Sequence, residues 1–240
     1  DVTSSPEEVP DFTALLNQDI KGKVIGIPQE YFGEGLDPEI KETITQALDE
    51  LKAQGAVLKE VNLSSLKYAI SSYYVLATAE ASSNLSRFDG VRYTHRTDNP
   101  KNLMDLYCKS RSEGFGEEVK RRILLGTFVL SSGYYDAYYM QAQRVRRVIR
   151  DDFAKAFEHC DVLVAPTLPS SPMKLGEGLA DPMAMYLSDI YTVSLNLAGL
   201  PGISLPCGET AGVKTGLQIF SKAFDEQTML QMAAAVERNQ

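Results

Sequence analysis

Residues 189–226 read DIYTVSLNLAGLPGISLPCGETAGVKTGLQIFSKAFDE, and four pieces follow from that text. An apolar helical body runs up to Ala198, with the polar Asp189 near its start. Gly199 stands where a left-handed residue ends a helix, because only glycine takes positive φ there without strain at Cβ. Pro201 lacks an amide hydrogen and fixes φ, so no helix continues through it. A buried strand over 203–205 and a second strand over 215–220 then flank a Gly-rich reversal.

Outward from this block, the chain opens with an irregular, acidic segment over residues 1–20 that docks loosely. A short apolar strand follows at 23–28, KVIGIP. Asp37 caps the next helix, with Pro38 at its first position. Ile40, Ile44, Ala47, Leu48 and Leu51 recur at helical spacing, and Gly55 ends the run. Residues 56–63, AVLKEVNL, form a strand, so this region is a βαβ unit, expected to be parallel and right-handed. The turn after the first strand reads IPQEYFGEG rather than GxGxxG, which excludes dinucleotide binding.

Ser64 and Ser65 are placed to cap a long helix over 66–88. At about 100° per residue, Tyr73, Glu80, Asn84 and Arg87 share one stripe, bordered by Ile70, Ala77, Ala81 and Phe88 on the apolar face. Such a stripe either lines a cleft or forms a plain Glu80–Asn84–Arg87 ladder, and pattern alone favours the ladder. Residues 91–102 are a polar loop in which His95 reads as exposed. Helices are expected at 103–113 and 117–130, separated by Gly114-Phe115-Gly116; Val119, Ile123, Thr127 and Leu130 form the inward ridge of the second. Ser131-Ser132-Gly133 ends it. A long helix over 136–158 turns Val145, Ile149, Phe153, Ala156 and Phe157 inward. Its Arg144, Arg146, Arg147 and Arg150 make a solvated face with Asp151 and Asp152, and His159 closes it at the negative dipole end. Residues 161–165, DVLVA, are continuously apolar and read as a central strand. A loop spans 167–178, a helix 182–198, and a final amphipathic helix 225–238 buries Met229, Met232, Ala233 and Val236.

Composition excludes several classes. With 240 residues, 44% apolar and 23% charged, the chain is long enough for a sizeable core. No run approaches the ~20 apolar residues of a membrane span. A net charge of −8 argues against a nucleic-acid surface spread over the molecule. Cys108, Cys160 and Cys207 share no metal or redox spacing and suit a reducing, cytoplasmic setting, or an organelle of bacterial origin. The opening DVTSSPEEVPD has no initiator Met and reads as an internal start. No GxSxG elbow, HExxH or Walker loop occurs, and the residues alone do not assemble an active site.

The series Asn196, Gly199, Pro201, Pro206, Gly208 and Gly216-Leu217-Gln218 resembles the C-terminal signature of the amidase-signature hydrolases. Two more blocks, residues 71–90 (SSYYVLATAEASSNLSRFDG) and 111–139 (RSEGFGEEVKRRILLGTFVLSSGYYDAYY), resemble the tRNA-dependent amidotransferase branch of that family. The resemblance implies an α/β amidase-signature fold, a mixed sheet covered by helices on both faces. It implies one domain over 1–240, the C-terminal part of the family's, with the βαβ unit at 21–63, a helical insertion at 65–158 and the sheet completed by 161–240. It also implies an activity: glutamine hydrolysis that releases ammonia for ATP-dependent conversion of Glu-tRNA(Gln) to Gln-tRNA(Gln).

In that family a Lys and two Ser of a Gly/Ser-rich segment do the chemistry, and nothing in this sequence resembles the segment, so no catalytic residue is assigned. What the resemblance carries over is substrate binding: Arg122, in KRRILLG, for the α-carboxylate of glutamine; Asp189, in the YxxD segment, for its α-ammonium; and Tyr73, in SSYYVLA, for the pocket wall. No metal or cofactor is implied for this chain; ATP and Mg belong to the complex. Its expected partners are the B and C subunits of the amidotransferase and, through them, misacylated tRNA. Without the resemblance, Asp189 is a residue at a helix N-terminus, Arg122 one arginine of a basic helix and Tyr73 a core aromatic. An amidase acting on neutral amides and a non-enzymatic interaction module remain the alternatives.

Overall fold

A computed structural model describes residues 4–172, 175 and 187–238. The chain forms two compact units, Asp1–Ile70 with Arg147–Gln240, and Ser71–Arg146.

The first unit holds a five-stranded mixed sheet built from β1 (Val24–Pro28), β2 (Val57–Val61), β3 (Val162–Pro166), β4 (Gly202–Thr210) and β5 (Val213–Ser221), in the order β2-β1-β3-β5-β4. β1 runs parallel to β2 and β3, while β5 runs antiparallel to β3 and β4. Every residue of β3 is buried, as its unbroken apolar run requires of a central strand. Helix α1 (Pro38–Ala53) makes the crossover between β1 and β2. The Asp37 carboxylate caps it by accepting from the Glu39 amide at 2.9 Å. Ile40, Ile44, Ala47, Leu48 and Leu51 are its buried residues, the face read from spacing. Each of these larger side chains contributes about 1.5–3 kcal/mol through burial.

β4 and β5 run longer than the expected 203–205 and 215–220. Ala211 and Gly212 both take positive φ, 51° and 77°, which is the two-residue turn whose twist suits a hairpin. The pairing therefore continues to Thr210↔Val213, with a register shift between Pro206 and Gly208. Pro206 is tolerated because β4 is the sheet's edge strand.

Of the helix expected over 182–198, the described residues 187–188 and α6 (Val193–Ala198) are helical. Residues 189–192 form turns, and 182–186 lie outside the described residues, as does most of the loop expected beyond residue 172. Gly199 stops α6 with φ 71° and ψ 45°, its amide donating to Leu195 O at 3.0 Å. Helix α7 (Glu226–Glu237) buries Met229, Met232, Ala233 and Val236 as expected. It also ties down the early chain: Gln227, Gln231 and Arg238 donate to the carbonyls of Asp11, Asp19 and Leu16.

In the second unit and its two flanks lie α2 (Ala69–Asn84), α3 (Leu103–Gly114), α4 (Glu117–Val129) and α5 (Met140–Ala156). The cap expected from Ser64 and Ser65 is not made by either side chain. Instead Ser65 N–H donates to the Asp152 carboxylate at 3.2 Å. The buried residues of α2 include Ala69, Ser72, Leu76 and Ala79, whereas Ile70, Ala77 and Ala81 are only half-buried. In α4 the buried positions are Gly126 and Val129, with Thr127 exposed, so the ridge is rotated from the one expected. The cause is a close helix crossing. A Cβ on Gly126 would lie 1.9 Å from the Thr78 carbonyl oxygen, so α2 and α4 meet backbone to backbone at that point. α5 begins after a π-helical turn at Tyr135–Tyr139 and buries Ile149, Phe153 and Ala156, leaving Arg144, Arg146, Arg147 and Arg150 exposed.

Candidate functional site

Arg122 and Tyr73 fall in the second unit and Asp189 in the first. Arg122 projects from the middle of α4. Its Nε donates to Glu118 Oε1 at 2.9 Å, the i, i+4 pairing of a helix face. Glu118 Oε2 takes Arg121 at the same time. Two arginines thus share one carboxylate. The Glu118 hydrogen bond raises the Arg122 pKa above its ordinary value, against a smaller desolvating effect, so the guanidinium is a fixed cation.

The guanidinium carbon sits 5.9 Å from the Tyr74 ring centroid, and Tyr74 packs edge-on to Tyr73, centroids 5.3 Å apart at 82°. All of these groups are half-buried. The Glu118 bond uses Nε and leaves the two terminal nitrogens of Arg122 side by side. That edge is the planar fork which binds a carboxylate through two parallel hydrogen bonds. Within this unit, then, α2 and α4 bring one cation and two phenol rings together. Sequence reasoning missed Glu118 and Tyr74, although the four-residue spacing of Glu118 and Arg122 was there to read.

The stripe partners of Tyr73 behave differently. Glu80, Asn84 and Arg87 are exposed and satisfy one another: Asn84 Nδ2 donates to Glu80 at 3.3 Å, and Arg87 Nε to Asn84 O at 3.0 Å. They form the plain ladder.

Asp189 is half-buried, in the turn that leads into α6. Its carbonyl accepts the Thr192 amide at 3.0 Å, the Val193 amide at 3.1 Å and the Thr192 hydroxyl at 3.1 Å. Asp189 thus opens the turn between the helical residues 187–188 and α6, and is not the helix-start residue expected. The first unit also contains a cavity of about 220 Å³ lined by Thr167, Ser170 and Thr215 and another of about 280 Å³ lined by Glu50, Cys207 and Glu209; neither includes Asp189. Burial pushes the Cys207 thiol up to about 11, so it is not a ready nucleophile. Among the described residues no group of His, Cys, Asp and Glu could hold a metal, and no helix is long and apolar enough to cross a membrane.

His95 lies half-exposed against Glu113, Nε2 to Oε2 at 2.7 Å, and Thr97 Oγ1 donates to the other Glu113 oxygen at 3.1 Å. The His95 hydrogen bond holds the Glu113 carboxyl below its ordinary value. A depressed carboxylate pKa stabilises the fold above the ordinary value of about 4.3 and loses that effect as pH falls through the depressed one. We therefore expect the protection factor of the Thr97 amide, whose N–H donates to Ser110 Oγ, to fall in that acid window. In Glu113→Gln the acid step should be absent; a step of unchanged size there would contradict this account.

A family model described as Amidase matches residues 1–230. The chain is 56% identical over 237 residues to the A subunit of the glutamyl-tRNA(Gln) amidotransferase of Streptococcus sanguinis, covering 99% of this chain and 49% of that protein. It is 53% identical over 239 residues to the corresponding protein of Clostridium botulinum, covering 100% and 49%. Among solved structures, the A subunit of the Thermotoga maritima glutamyl-tRNA(Gln) amidotransferase superposes with a TM-score of 0.77 at 35% identity, over 100% of this chain and 47% of that one. A bacterial aryl acylamidase of the amidase-signature family gives 0.75 at 21% identity, over 95% of this chain and 46% of that one, a likeness of fold. The chain spans about half the length of the curated relatives it matches.

Proposed function

The chain belongs to the amidase family, and from that premise we propose that it provides the glutamine-holding residues of a tRNA-dependent amidotransferase. The observation that carries the reading is the Arg122 group: a fixed guanidinium, tied to Glu118 through Nε, with its forked edge left for a carboxylate beside Tyr73 and Tyr74. Identity of 53–56% to amidotransferase A subunits along essentially the whole chain supports it.

Glutamine carries an α-carboxylate and an α-ammonium, so a selective pocket needs one cation and one anion. Arg122 takes the carboxylate, Asp189 the ammonium, and Tyr73 walls the side chain. Held at both ends, the substrate presents its carboxamide to a serine nucleophile that this chain does not supply. The serine oxygen bonds to the amide carbon, the C–N bond breaks, and the departing nitrogen takes up the serine's proton and leaves as ammonia. Water then cleaves the acyl-enzyme to glutamate. Orientation of this kind lowers the barrier by fixing the reacting groups beforehand.

The ammonia passes to a partner subunit in a complex with the B and C subunits of the amidotransferase, which uses ATP and Mg to activate misacylated Glu-tRNA(Gln) in the cytoplasm. The reading is tested by glutamine hydrolysis in the full-length protein carrying Arg122→Ala or Asp189→Asn. A preference for neutral amides over glutamine would favour a general amidase instead.

A further inference from the structure

Gln218 runs against its surroundings. It lies in β5 beside Leu217, Ile219 and Phe220, all fully buried, and is itself only 4% exposed. Its backbone pairs with Ala165 on one side and Ser204 on the other, so it sits inside the sheet rather than at an edge. Burying a primary amide there is unfavourable unless hydrogen bonds replace its water. An apolar side chain would satisfy the strand equally well. What the amide does is donate from Nε2 to the main-chain carbonyl of Tyr191 at 3.0 Å.

Tyr191 is two residues beyond Asp189, inside the 189–192 turn. That turn is not a regular helix and closes mainly on the Asp189 carbonyl, so its own ladder does little to fix its direction. A second clamp lies just past it. The Tyr31 hydroxyl, from a buried ring, is 2.5 Å from Ser194 Oγ at the start of α6. The Tyr31 ring also stands edge-on to Tyr191, at 5.5 Å, and to Phe220, at 6.2 Å. Gln218 and Phe220 share a face of β5, since side chains alternate along a strand. One face of one strand therefore holds the turn at its carbonyl and, through Tyr31, at its ring and its exit.

We propose that Gln218 and Tyr31 are positioning residues: they set the direction of the 189–192 turn and so aim the Asp189 carboxylate at the α-ammonium of glutamine. This rests on the reading of Asp189 given under Proposed function. Neither residue touches the substrate, and neither takes part in the chemical step.

The test compares glutamine with 4-carbamoylbutanoate, the same skeleton without the α-ammonium, in the full-length protein. The readouts are the KM for glutamine and the competitive inhibition constant of 4-carbamoylbutanoate. In Gln218→Met, which keeps the length and removes the donor, the glutamine KM should rise about tenfold, with the inhibition constant within about twofold of wild type. Tyr31→Phe should move the same way by less. It deletes only a hydroxyl, so it carries the test alone if Gln218→Met fails to fold. Equal rises for both ligands, or no rise for either, overturn the positioning role, because a merely structural residue does not distinguish ligands by their ammonium. Asp189→Asn separates the two failures. If it raises both constants alike, the reading of Asp189 falls and this proposal with it. If it is selective while Gln218→Met and Tyr31→Phe are not, only the positioning role is lost.

Discussion

Replacing Arg122 with alanine in the full-length protein is expected to lower kcat/KM for glutamine by on the order of 10²-fold or more, with the fold intact. The size follows from removing one partner of a hydrogen-bonded charge pair that the bound substrate would desolvate, about 2–5 kcal/mol. The fold survives because Glu118 is not orphaned: Arg121 already occupies its other oxygen. Nor is the Glu118–Arg122 pair itself a large source of stability, since both side chains are 33% exposed and such pairs are worth about 0–1 kcal/mol. The same exposure makes Glu118 a weak competitor for a substrate carboxylate. Arg122→Lys should fall between, keeping charge and losing the fork. Asp189→Asn should produce a loss of similar order, confined to substrates with an α-ammonium. Steady-state glutaminase assays with circular dichroism on each variant check these outcomes. Wild-type kcat/KM in both Arg122→Ala and Asp189→Asn would overturn the assignment.

Gly126→Ala should be among the most damaging small substitutions in the chain. A Cβ there would sit 1.9 Å from Thr78 O, 2.6 Å from Thr78 C and 2.7 Å from Ser82 Cβ. The first contact is with backbone, so no rotamer change relieves it. To reach ordinary contact the helices must separate by about 1.5 Å, at an overpacking cost of about 1–3 kcal/mol or more. The gain in helix propensity over glycine, about 0.8–1 kcal/mol, offsets only part of that. Separation has a functional consequence too. α2 carries Tyr73 and Tyr74 while α4 carries Arg122, and the 5.9 Å approach of Arg122 to Tyr74 depends on the Gly126 crossing. The expected result is a lower urea midpoint together with a raised glutamine KM. An unchanged midpoint would mean the crossing is looser than the 1.9 Å approach implies.

Local signals in the sequence were sufficient where a neighbour within a turn or two determines the outcome. Asp37-Pro38 starts α1 because a carboxylate and a preset φ act at once on the first turn, and the spacing of Ile40, Ile44 and Leu51 gives its buried face. The unbroken run over 162–165 marks the central strand, and Gly199 marks the end of α6. Long-range effects were not legible in the same way. Ser64 and Ser65 look like caps, yet the acceptor for Ser65 N–H is Asp152, far along the chain. The α4 ridge is turned because Gly126 lets α2 approach, and helical periodicity of α4 alone contains no information about its partner. The 189–192 turn interrupts the helix expected over 182–198, a break that spacing does not register. Gln218 could be seen as part of a motif, but its role needed the Tyr191 carbonyl, which only folding brings to it. Arg122, Tyr73 and Asp189 are assigned by resemblance, and periodicity would not have singled them out.

The account depends on one zwitterion being gripped at both ends, by Arg122 and by Asp189. A crystal structure of the full-length protein with glutamine bound tests that most directly. The predicted result is a single glutamine whose α-carboxylate takes two hydrogen bonds from the Arg122 fork and whose α-ammonium donates to Asp189, each at about 2.7–2.9 Å. Glutamine bound elsewhere, with the Arg122 fork or the Asp189 carboxylate facing solvent, would contradict it.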